Sequence, residues 1–156
     1  LSLFNIGGRF FWASLSDKLG RKLTYVVFFV LGGLMYASVP GSSSAGNIVL
    51  FVGAFCVILS MYGGGFATIP AYLRDLFGTH QVGAIHGRLI TAWSLAAIVG
   101  PNLINYISAA KKKAGVPAAE AYNSTLYLMC GLLLIGLIAN LLVRPVHPKH
   151  HLATHS

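Results

Sequence analysis

Long apolar runs alternate with short polar breaks along this chain. The runs are Leu1–Ser16, Leu23–Val39, Ile48–Tyr72, Val82–Ile107 and Thr125–Val143. A helix rising ~1.5 Å per residue needs roughly 17–25 residues to cross a ~30 Å hydrocarbon core. The last four runs meet that length, and the first reads as a truncated span. The breaks differ in character. Asp17 to Lys22 is a dense charged loop, and Pro40 to Asn47 is an uncharged turn of loop formers. Arg74 to His80 is charged, and Lys111 to Glu120 is polar. The pattern predicts an all-α integral membrane protein with four complete transmembrane helices and one truncated. The bundle covers residues 1–143, with spans at about 1–16, 23–39, 48–72, 82–107 and 125–143, and a tail covers 144–156. Gly63, Gly64 and Gly65 are expected to interrupt the third run, and Gly100-Pro101 to kink the fourth.

Composition supports lipid as the solvent. The chain is 56% hydrophobic and 9% charged, whereas a soluble domain carries about 25% charged residues. Its net charge of +8 would point to nucleic acid in a soluble protein. Here the basic residues sit in the breaks between apolar runs, which is the topogenic pattern of membrane proteins and excludes a nucleic-acid surface. Lys18, Arg21, Lys22, Arg74, Arg88, Arg144 and Lys149 fall on or near one side. Lys111, Lys112 and Lys113 fall on the other. The majority places the tail in the cytoplasm of a multi-pass protein of the plasma or inner membrane. Cys56 and Cys130 lie inside apolar runs and read as buried thiols. The chain begins mid-helix without Met, so it reads as a C-terminal fragment whose N-terminal half is its partner.

Few residues in the runs can carry chemistry. An arginine at the centre of a membrane helix costs roughly 2.5–3.5 kcal/mol on insertion scales, so Arg9 is a functional candidate. Asn5, Gly8, Arg9 and Trp12 share one helical face. A guanidinium on such a face can hold a carboxylate bidentately, or it can pair with an acid elsewhere. The glycine triplet allows either a site or tight helix packing, and Tyr62 and Phe66 share a face beside it. On the fourth run, Arg88 is placed to snorkel to the interface, His86 could titrate near neutral pH, and Trp93 lies deeper. Asp17 and Asp75 can cap helices or pair with arginine. The tail histidines His147, His150, His151 and His155 could bind metal, but a solvated tail is the simpler expectation. No metal site, cofactor or catalytic constellation is expected, and the chain reads as a non-enzyme.

ASLSDKLGRK, residues 13–22, resembles the signature loop of the major facilitator superfamily. Asp17, Lys18, Gly20, Arg21 and Lys22 match it, while Ala13 stands where the family has Gly. The resemblance implies the C-terminal part of a twelve-helix fold, helices eight to twelve. It also implies a conformational latch at Asp17, Lys18, Gly20, Arg21 and Lys22. NIGGRFFWASLSDKLGRK together with GGGFATIPAYLRDLFGTHQVGAIHGRLITAWSLAAIVGP is similar to the oxalate/formate antiporter branch. Arg9 matches the branch's helix-eight arginine. The branch's helix-eleven lysine would fall at or next to Trp93, and no Lys lies between Lys22 and Lys111. The first block also resembles monocarboxylate transporters, whose acid four residues before the arginine is replaced here by Asn5.

The resemblance implies a secondary transporter of small carboxylates working by alternating access, with Arg9 at the substrate and Trp93 at the branch's lysine position; the shared helix faces add Asn5, Trp12 and Tyr62 as residues expected to shape the site. A lone cation fits a monocarboxylate better than oxalate. The alternatives are a proton-linked monocarboxylate transporter and a facilitator-fold sensor without net transport.

Overall fold

The structure is a computed structural model and describes residues 2–44 and 46–147; the histidines of the tail beyond His147 lie outside the described residues. It consists of α1 (Ser2–Leu19), α2 (Arg21–Ser44), α3 (Ile48–Phe77), α4 (Val82–Lys113) and α5 (Ala118–Leu142). No strand occurs among the described residues. Hydrocarbon offers no partner to a free N–H or C=O, so each apolar run closes its own backbone bonds as a helix. Among the described residues, four helices are long and apolar enough to cross a membrane, namely Arg21–Gly41, Ile48–Phe77, Val82–Lys113 and Tyr122–Leu142.

Helix extends further than the polar breaks predict. The charged segment Asp17–Lys22 is two helix ends joined at Gly20, not a loop. Gly20 takes φ 87°, its N–H donates to Ser16 O at 3.0 Å, and α2 begins at the next residue. A residue with a side chain is strained at that φ, which is why glycine serves there. Helix α2 continues through Pro40 to Ser44, into the expected turn. The three lysines expected in a loop form the last turn of α4 instead. Lysines suit a helix C-terminus, where the macrodipole is negative. The expected interruption at Gly63–Gly65 is absent, because α3 runs unbroken from Ile48 to Phe77. Helix α4 likewise continues through Gly100 and Pro101.

Helix α3 is central. It packs most extensively on α1, then on α2, and α2 in turn packs on α5. Small residues set the α1–α3 approach. A Cβ on Gly8 would lie 2.2 Å from Ser60 O, one on Gly63 2.1 Å from Asn5 O, and one on Gly64 2.4 Å from Trp12 Cβ. Gly63 and Gly64 therefore serve close helix packing, the second of the two roles expected for the triplet, while Gly65 has nothing within 4 Å of a virtual Cβ. The core gathers Trp12, Phe28 and Met61, with Trp12 edge-on to Phe28 at 4.9 Å between ring centroids. Helix α4 touches α3 and α5 lightly and has no buried residue among those described.

Candidate functional site

Arg9 lies mid-way along α1 and its side chain is exposed. Among the described residues it has no hydrogen bond and no ion pair. Its Cγ sits 3.3 Å from where a Cβ on Gly63 would be, so the stem lies along α3. The acids of the described chain are Asp17, Asp75 and Glu120, all at helix ends. None neutralises Arg9.

The other residues of the expected Arg9 face behave differently. Trp12 is 7% exposed and its indole Nε1 donates to Ser60 Oγ at 3.2 Å. Asn5 is half-buried and its Nδ2 donates to Leu59 O at 3.3 Å. Both therefore use their polar atoms to hold α1 on α3, and Arg9 sits at the edge of that interface. The one-turn spacing that aligned these four residues was the packing stripe itself.

A second group lies between α3 and α4. Tyr62, Phe66 and Ile69 face His86, Leu89, Ile90 and Trp93 across a cavity of about 290 Å³. The Phe66 and Trp93 rings are 3.9 Å apart between centroids, and Tyr62 is edge-on to Trp93 at 6.2 Å. The His86 Nδ1 atom is buried there without a partner. Helical spacing relates the two groups. At about 100° per residue, Gly63 lies between the α1-facing Ser60 and Gly64 on one side and Phe66 on the other. Arg9 thus approaches α3 on the flank that leads round to Tyr62, Phe66 and Trp93. By the same count Arg88 lies on the side of α4 opposite His86 and Trp93.

The charged helix ends form a cluster. Arg21 forms a short contact to Asp17 and another to Ser16 Oγ, and its Nε lies 3.9 Å from Asp75 Oδ2. Asp75 is also 3.9 Å from Arg74 Nε. Lys22 Nζ donates to Leu141 O at 2.9 Å and to Val143 O at 2.8 Å, the carbonyls that α5 leaves open. Gly20 supplies the turn. Lys18 is exposed, with no side-chain partner among the described residues. Sequence reasoning missed Asn140 and Tyr72. Tyr72 Oη donates to Asn140 Oδ1 at 2.9 Å, and Asn140 Nδ2 donates to Lys22 O at 3.2 Å. An amide in the otherwise apolar last run was the available signal.

The sequence profile of the Major Facilitator Superfamily matches residues 1–155. The chain belongs to the Major Facilitator Superfamily. As a facilitator it is a multi-pass membrane protein, in keeping with its four membrane-length helices. It is similar to the "Oxalate:formate antiporter" of Oxalobacter formigenes, at 32% identity over 102 residues. That match covers 65% of this chain and 24% of the relative, so the chain spans about a quarter of that protein. No solved structure matches the facilitator chain significantly. Within the facilitator fold, the Arg21 cluster occupies the segment whose motif pointed to the family.

Proposed function

We propose that this chain is the C-terminal part of a secondary carrier of small carboxylate anions, and that Arg9 binds the carboxylate. The observation that carries this reading is an exposed, unpaired guanidinium half-way along a membrane-family helix. Such a charge is expensive to leave without a counter-ion, and a carboxylate supplies one with bidentate geometry. The substrate's apolar part would meet Tyr62, Phe66 and Trp93. Asn5 and Trp12 would act behind it, by holding α1 on α3. An N-terminal half on the open side would complete the cavity, and the halves would rock about the site. The Asp17, Lys18, Gly20, Arg21 and Lys22 segment would hold one access state on the cytoplasmic side.

A single cation favours a monocarboxylate, and Arg88, turned away from Trp93, does not supply a second. The described spans hold no mid-helix acid to carry a coupling proton, which favours exchange over proton linkage.

In the full-length carrier, Arg9→Ala abolishes anion uptake with membrane insertion intact. Unchanged uptake removes Arg9 from the site. Arg9→Lys separates bidentate recognition from bare charge: a loss of at least tenfold in apparent affinity supports the first, and full activity supports the second.

A further inference from the structure

The cavity between α3 and α4 is too large and too apolar for a carboxylate alone. It measures about 290 Å³, and Ile69, Leu89 and Ile90 line it beside the rings of Tyr62, Phe66 and Trp93. An apolar cavity of about 150 Å³ is enough to hold benzene, so a six-membered ring fits here. The walls suit one. Phe66 is edge-on to Tyr62 at 5.4 Å between centroids and lies tilted against Trp93 at 3.9 Å. Aromatic rings attract a further ring in these same edge-on and offset arrangements.

Two observations set this cavity apart from a lipid-facing surface. His86 lines it, and an ionisable side chain within a membrane span turns to the bundle interior or to a wet cavity, not to hydrocarbon. Arg9 also comes close. Its stem lies beside Gly63, which follows Tyr62 in the chain and precedes Phe66 by a rise of ~4.5 Å along the helix. A carboxylate on Arg9 can therefore extend its tail round the flank of α3 into the cavity. No lysine or arginine is among the described residues that line it, so the cavity offers no second cation to a second carboxylate.

We propose that the carried anion is a monocarboxylate with an aromatic tail, its carboxylate on Arg9 and its ring among Phe66, Ile69, Leu89 and Trp93. The inference rests on Arg9 as the carboxylate site and supplies the other half of the substrate. Formate and oxalate have no apolar part to place there. A ring in the cavity leaves water and covers Leu89, Ile90 and Trp93, which are all exposed. Burying a group the size of a Phe side chain favours binding by roughly tenfold to a hundredfold.

The test is uptake by the full-length carrier in proteoliposomes, with lactate, 3-phenyllactate and oxalate as probes. Lactate and 3-phenyllactate share the carboxylate and the 2-hydroxyl and differ only in the ring. Wild type takes up 3-phenyllactate with a kcat/KM at least about tenfold above that for lactate, and above that for oxalate. Ile69→Phe puts a ring of the protein's own into the space and brings the ratio of the two hydroxy acids to about one. Leu89→Phe does the same from α4, and thermal unfolding in detergent checks that each variant folds. Arg9→Ala abolishes uptake of both hydroxy acids. Arg9-dependent uptake without a preference for 3-phenyllactate overturns the aromatic tail and keeps the carboxylate site; that is the result expected of a cavity filled by lipid. A preference for oxalate overturns it likewise, as does a preference for 3-phenyllactate that both ring-filling variants retain. Uptake undiminished by Arg9→Ala removes the carboxylate site, and the inference with it.

Discussion

Gly64 shows how one missing methyl governs this bundle. A Cβ there would meet the Trp12 Cβ at 2.4 Å and its ring at 2.7 Å. Both atoms belong to the buried base of a core side chain, so the clash cannot be relieved by a rotamer change alone. Gly64→Ala therefore forces α1 away from α3 and costs about 1–3 kcal/mol, as overpacking does. Gly65, one residue on, has nothing within 4 Å of its virtual Cβ. Gly65→Ala is expected to hold or raise stability, since Ala is the better helix former by about 1 kcal/mol. Thermal unfolding of the two variants in detergent checks the contrast, and equal melting temperatures would refute it. Arg9 lies beside the same interface yet is not consumed by it. Its stem crosses Gly63 while its head stays free, and that combination makes it the binding candidate.

At the scale of the helices, the end of α5 is held by polar bonds from two neighbours. Lys22 caps its last carbonyls, and Asn140 joins Tyr72 of α3 to the backbone of α2. Val146 N adds a bond to Leu76 O at 2.9 Å, so the chain beyond α5 straps the end of α3. An interhelical hydrogen bond in a membrane protein averages about 0.6 kcal/mol. Tyr72→Phe is expected to cost about that much, because it removes one bond and leaves Asn140 its other. Asn140→Ala strands two partners and is expected to cost roughly 1–2 kcal/mol. Chemical unfolding in mixed micelles orders the two, and an equal loss would show that Asn140 is not the bridge. The Arg21 cluster is more exposed, with Asp17 and Asp75 facing solvent. As exposed ion pairs these contacts add little to stability.

Across the whole molecule, one side of α3 is closely packed and the other is open. Helices α1 and α2 pack on α3, α5 packs on α2, and α4 leans lightly on α3 and α5. The two tryptophans report on these sides separately, since Trp12 is in the core and Trp93 is 42% exposed beside Phe66. If the proposed site holds, the emission contributed by Trp93, taken as the difference between the carrier and its Trp93→Phe variant, is expected to change with added formate or oxalate. With Trp93→Phe, the buried Trp12 emission is expected to stay constant. A response from Trp12 alone would move the anion site away from the α3–α4 cavity.

Helix number, approximate limits and membrane residence could be read from the order of residues alone. Each apolar run must satisfy its own backbone in lipid, and that requirement is local. The motif around Asp17 to Lys22 was legible for the same reason: it is a contiguous stretch. The roles of Asn5, Trp12 and Asn140 were not. A one-turn stripe looks the same whether it faces water or another helix, so Asn5 and Trp12 joined Arg9 until Leu59 and Ser60 were seen to occupy their polar atoms. Asn140 gained meaning only when Tyr72 and Lys22, 68 and 118 residues away in the chain, closed around it. Which face of a helix is packed depends on its neighbours, and in lipid hydrophobicity does not distinguish the two faces. Contacts between distant segments decided that question here, and with it that the Arg9 head stays free beside the α1–α3 interface.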